Sequence, residues 1–212
     1  MSTASDARFW DRTSRRYAKG AIADPAGYER TLDRTRSLLL PDDGVLELGC
    51  GTGTTAFRLA GDVRDYLATD FSSEMIAIAR KRYGGDFVPN LVYRTATAEA
   101  LAGERAQYNA VLAFNYLHLV RDLSGTLGSI RALLASSGLF ISKTPCVGEM
   151  SPLIRFGLLP AMRAFGKAPY AGTFGLIELS QEITAAGFEI LDIENHATKG
   201  NDNRPYIVAR KR

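Results

Sequence analysis

Residues 45–55 read VLELGCGTGTT: an apolar run, an acidic residue, glycine at every second position, and then the start of a helical segment. The run 45–48 reads as a strand and 54–60 as the helix after it, the unit from which parallel α/β sheets are built. Gly49, Gly51 and Gly53 let the chain turn tightly and let a ligand approach bare backbone. Exposed N–H groups at the start of the following helix attract a negative group. Glu47, at the strand tip, favours a positive one. A zwitterion satisfies both.

Downstream the pattern repeats. Strands are expected at 66–69, 91–95, 110–114 and 139–142, with helices at 72–82 and at 123–135, the latter ending near Gly138. Asp70 ends the second strand, 21 positions after Gly49 (70 minus 49), where an acidic residue suits a ribose diol. Phe71 follows and offers a flat face to a base. The ligand should therefore carry an amino-acid end, a ribose and a base, a description that fits S-adenosylmethionine better than a dinucleotide.

Upstream, 5–18 reads as an amphipathic helix carrying Phe9, Trp10 and Tyr17, and a second helix capped by Asp24, with Pro25 in its first turn, runs to Leu40. Beyond 147 the pattern breaks. Residues 148–176 mix glycine and proline with large apolar side chains and read as an insertion or flap. A helix at 178–186 follows, and strands at 188–194 and 205–210 flank the polar loop 199–203 as an antiparallel hairpin.

The 212 residues are 46% hydrophobic and 23% charged, enough for a sizeable core and far from a disordered composition. A formal charge of +3 argues only weakly for nucleic acid, and none is expected as a partner. The longest uncharged stretch, 106–120, is too short to cross a bilayer, and the amino terminus lacks the basic-then-apolar pattern of a secretion signal. Two cysteines, Cys50 and Cys146, make neither a disulfide scaffold nor a four-ligand zinc site, so no metal and a cytoplasmic location are expected.

VLELGCGTGTT, LATDFSSEMIAIARKR (67–82), TATAEAL (95–101) and YNAVLAFNYLHLV (108–120), taken in order, resemble the successive blocks of class I S-adenosylmethionine-dependent methyltransferases. The likeness is strongest to the small-molecule branch that includes the ubiquinone and menaquinone methyltransferases. It covers residues 9–142 well and the flap hardly at all. It implies a Rossmann-like three-layer α/β sandwich, with a seven-stranded, mostly parallel sheet in the order 3-2-1-4-5-7-6 and strand 7 antiparallel. It also implies that Glu47 and the turn Gly49, Cys50, Gly51, Thr52 and Gly53 hold the methionine portion of the cofactor. Asp70 would bind the ribose, Phe71 and Met75 would flank the adenine, Ala98 and Glu99 would approach its edge, and Asn115 would lie near the reacting methyl. Tyr17 is assigned to the ligand because amino-terminal helices of similar enzymes fold over the cofactor.

The expected organisation is one methyltransferase domain: a helical lid (1–40), a cofactor core (41–147), an acceptor flap (148–176) and a closing helix with hairpin (177–212). The expected activity is in-line methyl transfer to a small, apolar or aromatic acceptor, with S-adenosylhomocysteine as product. No catalytic residue is assigned. His118 and Tyr116 could face the acceptor, although a lone histidine is more simply packed than catalytic. His196 reads as surface, Trp10 as core and Cys146 as a small apolar residue. SPLIRFGLLPAMRAFGK (151–167) reads as buried or pocket-lining rather than membrane-bound, because Pro160 interrupts an amphipathic helix. Two alternatives share the features of the crevice. One is a non-catalytic domain that binds S-adenosylmethionine as a sensor or partner subunit. The other is a nicotinamide-dependent oxidoreductase, against which Gly53 falls one position early for G-x-G-x-x-G and leaves Thr54 in its place.

Overall fold

A computed structural model describes residues 3–84, 88–104, 107–151, 153–164, 168–200 and 203–212. In chain order the elements begin α1 (Thr3–Tyr17), α2 (Pro25–Arg36), β1 (Gly44–Leu48), α3 (Thr54–Leu59), β2 (Asp65–Asp70), α4 (Ser73–Tyr83) and β3 (Leu91–Thr95). They continue with α5 (Ala98–Ala102), β4 (Tyr108–Phe114), α6 (Leu123–Leu133), β5 (Leu134–Lys143), α7 (Leu159–Ala164), α8 (Leu176–Ala185), β6 (Phe188–Glu194) and β7 (Tyr206–Lys211).

All five residues of β1 are buried, which is why this strand reads as apolar apart from Glu47: helices cover both faces of the sheet. Val45 joins Leu112, Ile141 and Val208 in a core roofed by Leu32 of α2, Ala56 of α3 and Ile76 of α4. Leu46, one residue on, points the other way and packs with Val111, Phe140 and Ile207 beneath Leu101, Ile130 and Ile183. This period-two division of one strand between two cores fixes the register, since a one-residue slip would exchange the faces and bring Glu47 into the second core.

The sheet runs β3-β2-β1-β4-β5-β7-β6, parallel except for β7, which is antiparallel to both of its neighbours. The order and the antiparallel strand are those expected. The strand order reverses between β1 and β4, which are parallel, and their carboxyl ends therefore open the crevice in which such sheets hold ligands.

Side-chain caps start the helices where the sequence places them. Asp24 accepts from Gly27 N at 3.0 Å, and Ser72 from Met75 N at 3.2 Å. Other boundaries move. The helix expected to end near Gly138 stops at Leu133, and β5 begins at once. Ser137, at φ 61°, lies in a bulge between the pairs Tyr108–Leu134 and Ala110–Leu139; the extra residues are absorbed there so that both ends of β5 can pair with β4. The flap contains a π-helical turn (Leu153–Leu158) and α7. Leu153, Phe156 and Leu158 are exposed, so these side chains are not packed on the sheet as expected. Pro152, Phe165, Gly166 and Lys167 lie outside the described residues. Among the described residues no helix is long and apolar enough to cross a membrane.

Candidate functional site

Gly49, Gly51 and Gly53 all adopt left-handed backbone, with φ of 68°, 55° and 80°. At two of them there is also no room for a side chain. A Cβ on Gly49 would stand 2.7 Å from the Tyr116 ring, and one on Gly53 would stand 2.7 Å from Tyr93 and 2.9 Å from Ala79. The turn is braced by Asp70, whose Oδ2 accepts from Gly51 N and whose Oδ1 accepts from Ser72 N, both at 2.9 Å. One carboxylate thus ties the glycine turn to the start of α4.

Asp70 is only 7% exposed and Glu47 only 2%. Burial pushes the Asp70 carboxyl up to about 6 against the opposing pull of the Ser72 and Gly51 N–H groups. Burial pushes Glu47 to about 7, with the Tyr66 hydroxyl, which donates to Oε2 at 2.9 Å, acting the other way and the Asp70 charge adding to the rise. A positive ligand beside two such acids favours their ionised forms.

Two cavities meet here. One, of about 970 Å³, is walled by Asp70, Phe71, Met75 and Glu99. The other, of about 1730 Å³, is walled on its near side by Glu47, Cys50 and Thr52 and on its far side by Lys143, Met162 and Thr198. Gly49, Phe114 and Asn115 border both, as do Trp10, Tyr17 and Arg204. Asn115 holds φ 53°, a left-handed conformation at the tip of β4 between the cavities.

Not every expected residue reaches a wall. Ala98 is fully buried in the second core, because the first turn of α5 directs it inward and Glu99 outward; its N–H meets the Tyr116 hydroxyl. Gly53 lines neither cavity, being packed under Tyr93. Trp10, expected in the core, lines both cavities, and its ring meets Tyr17 edge-on at 5.9 Å. Tyr17 lies with a ring carbon 3.5 Å from the point where a Gly51 Cβ would be.

Sequence reasoning missed what holds α1 across the opening. Arg121 forms a two-pronged ion pair with Asp6 at 2.7 and 2.9 Å, and Ser72 Oγ donates to Asp11 at 2.7 Å. Nothing in their spacing marks these pairs, since each joins residues far apart in the chain.

His118 lines the smaller cavity. Burial and the nearby Arg204 charge push it down to about 4, so the ring is neutral, and its buried Nδ1 has no hydrogen-bond partner among the described residues. His196, expected at the surface, is 5% exposed. It is wedged under α2, with Nδ1 3.0 Å from Thr31 Oγ1, Nε2 3.0 Å from Glu194 Oε2, and its ring stacked on Tyr206 at 4.4 Å. Cys146 is buried as expected, and burial pushes its thiol up to about 12. Among the described residues no cluster of acidic, histidine or cysteine side chains could hold a metal.

Residues 45–138 match the family model described as a methyltransferase domain. A hybrid PKS-NRPS synthetase of Talaromyces variabilis is 32% identical over 50% of this chain and 3% of its own length. A ubiquinone biosynthesis O-methyltransferase of Methylocella silvestris is 33% identical over 65% of this chain and 54% of its own. The chain thus spans about half of one such relative and a small fraction of the other. Magnesium protoporphyrin IX methyltransferase from Synechocystis, solved with bound SAH, superposes with a TM-score of 0.71 at 18% identity, covering 98% of this chain and 95% of that one. That likeness is one of fold.

Proposed function

We propose that this chain, whose residues 45–138 match a methyltransferase-domain model, is a class I S-adenosylmethionine-dependent methyltransferase that transfers a methyl group from S-adenosylmethionine to a small apolar or aromatic acceptor and releases S-adenosylhomocysteine. The observation that carries this reading is the buried Asp70 carboxylate beside a turn of three left-handed glycines. A dinucleotide would need the glycine turn to cradle a pyrophosphate, whereas here two buried acids, Glu47 and Asp70, border the turn and favour positive charge.

The residues present fit the cofactor. Asp70 keeps acceptor capacity for the ribose hydroxyls beyond its bonds to backbone N–H groups. Phe71 and Met75 offer apolar faces to the adenine, and Glu99 can accept from an amino group at its edge. Glu47 and the turn from Gly49 through Cys50, Gly51 and Thr52 receive the amino-acid end, Tyr17 covers it, and Asn115 lies where the two cavities join. Bound there, the cofactor supplies an electrophilic methyl on a sulfonium.

The protein's own work is alignment and exclusion of water. Holding acceptor and methyl in line contributes several kcal/mol to the rate. Asn115 and Phe114 border both cavities and so separate donor from acceptor, while α1, pinned at Asp6 and Asp11, closes over them. We assign 1–40 to the lid, 41–147 to cofactor binding, 148–176 to the acceptor side and 177–212 to the closing helix and hairpin. The cytoplasm is the compartment proposed, both cysteines being free thiols.

Calorimetric titration with S-adenosylmethionine and S-adenosylhomocysteine, followed by a screen of quinol, phenol, amine and thiol acceptors with labelled methyl donor, tests this. Binding with transfer to one class is expected. Binding without transfer to any would leave a sensor or partner subunit, and absence of binding would overturn the cofactor assignment.

A further inference from the structure

The helix that covers the donor site has two faces, and only one of them belongs to that site. Asp6, Trp10 and Tyr17, spaced four and seven residues apart on α1, turn inward and line the cavities. On the opposite side of the same helix stand Arg8, Arg12, Arg15 and Arg16, and Lys19 continues the line just past the helix end. All five are exposed; Arg16, at the edge of the stripe, also reaches the rim of the larger cavity.

Arg34, Arg36, Arg58 and Arg121 each meet a carboxylate, whereas among the described residues none of these five cations forms an ion pair. Arg82, at the end of α4, donates to Ala18 O at 2.9 Å and brings its own charge and that of Lys81 alongside. Two acids lie at the edge of the face, Asp11 and Glu74, the first bonded to Ser72 and to the Glu74 N–H. Counted in full, they still leave the face strongly positive. Arg8 with Arg12, and Arg12 with Arg16, are like charges four residues apart, which weakens a helix standing alone. A surface of opposite charge relieves that repulsion.

Exposed aliphatic side chains stand at the same opening. Ala21 and Ile22 follow the stripe directly and are exposed on the rim of the larger cavity. The flap that gives Met162 and Pro169 to the wall of that cavity carries Leu153 and Leu158 exposed.

We propose that the outer face of α1 docks on an anionic lipid bilayer, with Arg8, Arg12, Arg15 and Lys19 on headgroup phosphates and Ile22 and the flap leucines at the acyl boundary. A bilayer engages both kinds of group: its phosphates take the cations and its hydrocarbon takes the aliphatics. A nucleic acid would engage the cations alone. An apolar acceptor concentrates in the same hydrocarbon, so a cavity mouth resting on it receives acceptor without passage through water. The docking goes beyond methyl transfer and needs neither donor nor acceptor.

Co-sedimentation with vesicles tests this. The whole chain should pellet with vesicles of phosphatidylglycerol and phosphatidylcholine in equal parts, should stay in solution with phosphatidylcholine alone, and should be released by raised salt. Arg8→Gln, Arg12→Gln and Arg15→Gln combined should lower the affinity by about a hundredfold, each cation near an anionic surface contributing about fivefold. Lysine at the same three positions should retain binding. The glutamine variant should keep the wild-type urea midpoint and S-adenosylhomocysteine affinity; Arg12→Gln alone, expected to lower vesicle affinity about fivefold, serves should the triple variant unfold. Leu153→Ser with Leu158→Ser should weaken binding several-fold without changing its salt dependence. Failure of the wild type to pellet with the anionic vesicles, equal pelleting with the neutral ones, or undiminished binding of the glutamine variant overturns the proposal. Tighter binding of polyuridylic acid than of the vesicles overturns it as well and gives the face to RNA. Because no donor is present, absence of S-adenosylhomocysteine binding in the wild type condemns the donor assignment and leaves the vesicle result standing.

Discussion

The two cavities that meet at Gly49 and Asn115 carry opposite charge. The smaller presents the carboxylates of Asp70 and Glu99, and its Arg121 is taken up by Asp6. The larger presents Lys143, Arg16 and Arg82 against two acids, Asp24 and Glu47. A positively charged sulfonium is thus better accommodated on the acidic side than on the basic one.

The largest expected effect is on the glycine turn beside that border. Gly53→Ala combines left-handed strain with contacts of 2.7 and 2.9 Å to Tyr93 and Ala79, and should lower stability by about 2–5 kcal/mol, read by urea unfolding. Gly128 on α6 faces open space, and Gly128→Ala should raise stability by about 0.5–1 kcal/mol in the same assay. Equal effects at the two glycines would show that the turn is not under the constraint described.

On the acidic side, Asp70→Ala should weaken S-adenosylhomocysteine binding by about 1–3 kcal/mol, with Asp70→Asn intermediate because it keeps one acceptor oxygen. Unchanged affinity by calorimetry would remove Asp70 from the ribose site. The pH dependence has a definite sign. Both acids are raised above their ordinary values, Asp70 to about 6 and Glu47 to about 7, so the free protein holds protons there that a cationic ligand must displace. S-adenosylmethionine affinity should be greatest above pH 7 and fall as pH drops through 7 and then 6, by at most about tenfold per pH unit for each proton. In the absence of ligand the same two groups make folding less favourable as pH rises from about 4 to 7. A flat affinity profile from pH 5 to 8 would mean that neither carboxylate meets the ligand's charge.

The smallest effect concerns the lid. The Arg121–Asp6 pair is partly exposed, at 29% and 14% for its side chains, and such pairs contribute about 0.2–1 kcal/mol. Arg121→Ala should therefore speed donor release only a few-fold in stopped-flow measurements, leaving the Lys143 side untouched. A hundredfold change would assign the ion pair a role beyond latching.

The same division separates what the sequence reveals from what it hides. The acidic side is built from short local patterns: strand tip, glycine turn, and an acid at the next strand tip. Each of these is set by neighbouring residues, so β1, the turn, Asp70 and the strand order are legible. Ala98 and Glu99 needed the phase of a five-residue helix, which no periodicity fixes. The cationic side depends on tertiary placement. His196 looks like a surface residue until the end of β6 is seen to pass beneath α2, and Lys143 looks like an ordinary strand-end lysine until Thr31 is seen to hold it. Trp10 reads as core because helical spacing cannot tell a core face from a cleft face.

A crystal structure with S-adenosylhomocysteine tests the arrangement most directly. The ribose should lie on Asp70, the adenine between Phe71 and Met75, and the sulfur at the Gly49–Asn115 border, directed into the cavity that holds Lys143. A vacant crevice, or a sulfur turned away from that border, would contradict it.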